Sequence, residues 1–183
     1  MPSLFASLKS TESMPLASRE ALEQLITKDS LVSSLTMAYR KRMAISKSYA
    51  DELKPLGPAI SASLQYDGRG RSLENVKAET RMIALDYDIH DASAEQIESM
   101  FKAACQSAYA LAVYHTISGQ GIRIIVGYDR AENCDLTIVE LFNAMIKKAI
   151  SFYNTLLGWE ADQQATDIGR LCGLAHDPDA YFN

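Results

Sequence analysis

The chain has 183 residues, 48% of them hydrophobic and 22% charged, with a net charge of −5. That length predicts one domain with a real core, and the composition is that of an ordinary globular protein. The negative balance excludes a protein that coats nucleic acid through bulk charge, while leaving room for a local basic groove. Cys105, Cys134 and Cys172 are far apart and form no CxxC or CxxH pair, which argues against a structural zinc site and for a reducing, cytoplasmic setting. The N-terminus lacks the pattern of a signal peptide, and no apolar run approaches a membrane span, so no membrane association is expected.

In chain order, residues 1–17 are small and polar and are expected to form a flexible N-terminus. Residues 18–80 read as a helical and β subdomain. "SREALEQLITKDSLVSSLTMAYRKRMAISKSYADEL" predicts two helices, and Pro55, Gly57 and Pro58 end the second. "AISASLQY" reads as a strand and "DGRGRSLENVKAE" as a loop or hairpin. From residue 81 the pattern becomes regular. "RMIALDYD" predicts a strand. "SAEQIESMFKAACQS" predicts a helix opened by a Ser93–Gln96 capping box. "YALAVYHTI" and "IRIIVGY" predict two strands joined by the turn "SGQG". "DLTIVELFNAMIKKAISFYNTLLG" predicts a long amphipathic helix with Asp135 at its start and Gly158 past its end. "GRLCGLAH" predicts a last short strand. The order β-α-β-β-α-β predicts an α+β chain whose core, about 81–176, is a ferredoxin/RRM-like antiparallel sheet with both helices on one face. In that topology the first strand lies between the third and the fourth.

Side chains alternate along a strand. Ile83, Leu85, Tyr87 and Ile89 therefore face the helices, while Met82, Ala84, Asp86 and Asp88 point to the open side of the sheet. On the third strand Arg123 falls on that same open side. Asp167 precedes the fourth strand and Arg170 begins it. Asp86, Asp88, Asp167 and Arg123 are thus expected to converge. Carboxylates beside an arginine suit Mg²⁺ or Mn²⁺ and phosphate chemistry, the metal offsetting the paired negative charges. Replacing both Asp86 and Asp88 by asparagine is expected to leave folding at least as good, because it removes two adjacent like charges. The turn Ser118–Gly121 could bring backbone N–H groups to an anion, with Gly119 and Gly121 permitting close approach. An isolated DxD is often a surface pair, and an SGxG is often only a hairpin turn. His115 reads as a sheet histidine, and Asp177 and Asp179 as a turn around Pro178.

Together "LDYD", "SGQGIRIIV" and the ending "DIGRLCGLAHDPDAYFN" resemble the archaeo-eukaryotic primase, or primase-polymerase, superfamily. The nearer likeness is to the VirE N-terminal-like subgroup of Bacteroides mobile elements, over roughly residues 30–183. Where that superfamily usually ends its second motif in histidine, this chain has Arg123.

The resemblance implies a metal-dependent nucleotidyltransferase that extends a 3′-hydroxyl on a DNA template. Asp86, Asp88 and Asp167 would hold metal and carry catalysis. Ser118, Gly119, Gly121, Arg123 and Arg170 would hold the triphosphate. Arg40, Lys41, Arg42, Arg69 and Arg71 would contact the backbone of single-stranded or template DNA, which positions without specifying sequence. Partners would be nucleoside triphosphates, DNA, and a helicase domain fused to or associated with this one. The alternative is a catalytically inactive nucleotide- or DNA-binding module of the same fold that recruits a helicase. A DxD glycosyltransferase would need a larger chain, and a purely structural domain leaves the paired carboxylates unexplained.

Overall fold

A computed structural model describes residues 1–89, 92–163 and 166–183. The chain is a mixed α+β protein with several antiparallel sheets and, among the described residues, five α-helices. No helix there is long and apolar enough to cross a membrane.

The first residues are ordered into strands β1 (Ser3–Phe5) and β2 (Ser13–Pro15), where a flexible terminus was expected. Phe5 is fully buried, and the buried Ser3 hydroxyl accepts a hydrogen bond from the Tyr66 N–H. One aromatic and one hydroxyl thus anchor a stretch whose composition looks like a tail. Helices α1 (Arg19–Thr27), α2 (Ser30–Met43) and α3 (Lys47–Asp51) follow, opened by the side chains of Ser18, Asp29 and Ser46. Three helices therefore stand where two were expected. The expected strand "AISASLQY" is two, β3 (Ala59–Ser61) and β4 (Leu64–Tyr66), the latter paired with β5 (Val76–Glu79).

The regular half contains β6 (Met82–Asp88), α4 (Ala94–Cys105), β7 (Ala110–His115), β8 (Gly121–Gly127) and α5 (Ile138–Leu157). The Ser93–Gln96 capping box is present. Helix α5 has a second capping box, Thr137 with Glu140, so Thr137 and not Asp135 is its N-cap. A hydroxyl at that position reaches the Glu140 N–H, and the Glu140 carboxylate returns to the Thr137 N–H. Gly158 ends α5 in the left-handed conformation, φ 71°.

The last strands are β9 (Leu171–Gly173) and β10 (Tyr181–Phe182). Strand β9 pairs with β3 in the sheet β2-β1-β3-β9, not with β6 as its place in the chain suggested. The second sheet runs β10-β7-β8-β6, so β6 is an edge strand and β10 occupies the far side.

Ile83, Leu85, Tyr87, Ile122, Ile124 and Val126 pack toward Ile97, Met100, Phe142 and Ile146 of α4 and α5, as strand parity requires. The opposite face is not open. Ala112, Tyr114 and Ile125 bury against Ile60 and Cys172 of the first sheet and against Leu22, Ile26 and Val32 of α1 and α2. The near-continuous apolar runs "ALAVY" and "IRIIV" are the signature of strands buried on both faces.

Candidate functional site

Strand β6 carries the two aspartates of the covered face, and β8 lies antiparallel to it with Asp86 opposite Arg123 and Asp88 opposite Gly121. Directly opposed residues share a face, so the guanidinium meets the carboxylate. Arg123 Nε donates to Asp86 Oδ1 at 2.5 Å and Nη2 to Oδ2 at 3.0 Å. Its Nη1 donates to the Gly173 carbonyl of β9 at 2.5 Å and to the Tyr114 hydroxyl at 3.4 Å. Asp86 is 5% exposed. Burial works against the charge on Arg123, but the Asp86 carboxylate overrides it and holds the guanidinium protonated well beyond its ordinary range. Burial also pushes the Tyr114 phenol up to about 12.

The buried carboxylate is therefore matched first by an arginine of the chain itself. Removing either partner would strand the other charge, so the expectation that Asp86 can be replaced without harm to folding does not survive this geometry.

Asp88, two residues on, is exposed and keeps the outer position. Both aspartates line one cavity of about 170 Å³, together with Thr116, Ser118, Arg123 and Arg170. Lys54, which follows α3, lines it as well, and Leu35, Leu53 and Pro58 give it an apolar wall. Lys54 also pairs with Asp51 at 3.0 Å. Arg170 lies 3.6 Å from the Asp162 carboxylate, and the Asp162 N–H donates to the Asp86 carbonyl.

Asp167 is exposed and does not line this cavity; its Oδ1 accepts the Gly169 N–H at 2.8 Å and shapes its own turn. The fourth strand's membership in the other sheet is the reason: Asp167 would reach the aspartates only if β9 ran beside β6, and β9 pairs with β3.

The turn does its work differently from the expectation. A Cβ on Gly121 would lie 2.0 Å from the Tyr87 carbonyl oxygen, so glycine is required there by the neighbouring strand. Gly119 has φ +72°. Its N–H donates to the Thr116 carbonyl, and the Gln120 N–H donates to the Ser118 hydroxyl. Those amides close the turn instead of facing an anion. Thr116 and Ser118, whose hydroxyls lie 3.1 Å apart, are the polar residues of the turn that line the cavity.

The expected DNA-contacting cations divide. Arg40 reaches the turn, donating from Nε to the Ile117 carbonyl at 3.2 Å and from Nη2 to the Thr116 carbonyl at 3.5 Å. Lys41 is exposed. Arg42 pairs with Glu52 at 3.3 Å and lies over the Tyr49 ring. Arg69 is engaged by Asp67, and Arg71 donates to the Leu8 carbonyl at 3.4 Å.

Residues 52–182 match the family described as BT4734-like, N-terminal domain. The chain belongs to that family. No curated protein matches it, and no solved structure does. The BT4734-like segment contains Lys54, both aspartates of β6, the turn and Arg170. Helices α1 and α2, with Arg40, precede it.

Among the described residues no group of three or more His, Cys, Asp or Glu side chains is gathered tightly enough to hold a metal by itself. Asp86 and Asp88, which line one cavity, are the carboxylates that could take part in holding Mg²⁺ or Mn²⁺. Mg²⁺ commonly takes one or two carboxylates and completes its shell with water and substrate phosphates. A carboxylate accepting two guanidinium hydrogen bonds retains lone pairs on both oxygens.

Lys54 and Thr116 were not legible as site residues. Lys54 sits in "DELKPLGP", which signals only a helix end. Thr116 looks like the last residue of a strand.

Proposed function

We propose that this chain is a primase-polymerase-type nucleotidyltransferase domain, acting on nucleoside triphosphates and a DNA template. One observation carries the reading: a single cavity is lined by Asp86, Asp88, Ser118, Arg123 and Arg170, residues from separate parts of the chain. Those are residues the primase resemblance assigns to one site. The same reading takes β6-α4-β7-β8-α5 as the ferredoxin/RRM-like unit, with its fourth strand drawn into the neighbouring sheet.

Asp86 and Asp88 are the residues that would hold Mg²⁺ or Mn²⁺, which supplies positive charge against the phosphates. Arg123 acts by fixing Asp86 and adds its charge to the cavity. Arg170, Lys54 and Ser118 line the cavity and are the residues that would meet phosphate oxygens. Asp167 orients the turn before Arg170. A template strand and a helicase domain, fused or associated, are the partners implied.

The test is nucleotide incorporation on primed and unprimed single-stranded templates with Mg²⁺ or Mn²⁺. Wild type should incorporate, and Asp88→Asn should lose incorporation while remaining folded. Equal incorporation by the two proteins would sink the assignment.

One observation favours the second reading, a catalytically inactive nucleotide- or DNA-binding module. Asp86 already has a full ionic partner in Arg123. Triphosphate binding without incorporation, under every metal and template offered, would select it.

A further inference from the structure

We infer that Arg40 is a positioning residue for the turn between β7 and β8, holding it from outside so that its inner hydroxyls stay on the cavity wall. This rests on the nucleotide-site reading for its purpose, but not for its test. Arg40 belongs to α2, 76 positions or more before the turn in sequence. Its guanidinium spans two successive carbonyls, those of Thr116 and Ile117. It also lies flat against Gly119, where an added Cβ would meet Nε at 3.6 Å and Cζ at 3.7 Å.

Besides Arg40, the turn is held by local bonds, among them the Gln120 N–H to the Ser118 hydroxyl and the contact between the Thr116 and Ser118 hydroxyls. Thr116 donates to the Gly121 carbonyl, Gly119 to the Thr116 carbonyl, and the Gln120 carbonyl accepts from Ile89, next to Asp88. The Thr116 carbonyl thus takes both the turn's own bond and one from Arg40. Carbonyls are neutral, and no ion pair joins Arg40 to a carboxylate among the described residues. The charge therefore remains at the turn, where an anionic ligand would feel it, while the fork geometry fixes the backbone. Lysine could reach one carbonyl but could not span both in a plane.

The experiment is amide hydrogen exchange over residues 116–121 in the free, full chain, comparing wild type, Arg40→Lys and Arg40→Ala. Arg40→Ala should exchange roughly fivefold faster at Thr116, Gly119 and Gln120, the loss expected for about one net hydrogen bond. Arg40→Lys should recover part of the protection. Exchange in the core strands should stay as in wild type. Unchanged exchange at the turn would overturn the inference, and so would faster exchange spread evenly over α2 and the core, which would mark a merely stabilising role. Triphosphate affinity with Mn²⁺, measured by calorimetry, is the second readout and should fall with turn protection. If wild type binds no triphosphate, the functional reading fails while the turn's exchange still decides the role of Arg40.

Discussion

The two faces of the sheet β10-β7-β8-β6 are buried by different means. Toward α4 and α5 the face is built of Ile83, Leu85, Ile122, Ile124 and Val126, with tyrosines whose hydroxyls reach the rim, as Tyr87 does to Asn154. Toward the first sheet the face is apolar at one end and ionic at the other, where Asp86 and Arg123 face each other under β9. The first face needs only volume and shape. The second keeps a charge pair that an apolar pair of similar size could replace without loss of stability. A charge pair kept where apolar residues often serve as well makes this end of the face the candidate site.

The contrast can be broken most forcefully at Asp86. Asp86→Ala should lose about 3–5 kcal/mol, because Arg123 is left charged and without its carboxylate. The double variant Asp86→Leu/Arg123→Met should return close to wild-type stability in urea denaturation and should have no incorporation activity. A double variant as unstable as the single one would mean the pair is structural. On the other face, Ile124→Ala should cost about 2–5 kcal/mol, through lost contacts and a residual cavity.

A smaller effect sits at the rim of the helix face. Asp177 is 5% exposed and accepts from both the backbone N–H and the ring of His115, which stacks on Phe101. Burial works to raise the Asp177 carboxyl, but the hydrogen bonds from His115 prevail and hold it below the usual carboxylate value. A depressed folded-state pKa contributes stability above the unfolded value, and that contribution is lost as pH falls through the folded one. Asp177→Asn should therefore lower stability at neutral pH by about 1.5–3 kcal/mol, the worth of a charged hydrogen bond. It should also flatten the acid limb of the stability curve below the ordinary carboxylate range. An unchanged acid limb would refute this. The smallest stability effect belongs to Asp88→Asn, an exposed position, which should stay within about 0.5 kcal/mol of wild type in melting experiments. A loss of incorporation set against that intact fold would sharpen the comparison between the two aspartates.

Strand parity made the juxtaposition of Asp86 and Arg123 readable, because both strands are long and alternate cleanly against two helices. The helices were readable through Ser93, Gln96 and Gly158. The first sheet was not. Its four strands, β1, β2, β3 and β9, have three residues each, too short for any period to show. That blindness propagated into the site. A β9 placed beside β6 brings Asp167 to the aspartates, leaves the covered face open and omits the cavity wall that Leu53 and Lys54 supply. The signal that was present lay in Ile125, Ala112 and Tyr114, apolar residues on the side supposed to meet water.

Cys172 lies between the two sheets, opposite Ile60 and 5% exposed, and burial pushes its thiol up to about 11. A thiol so placed is closed to alkylating reagents as long as the layers stay together. The rate at which it is modified thus becomes a clock for their separation. The chain carries its own label at the seam above the aspartates, and a ligand that clamped the cavity would slow its modification.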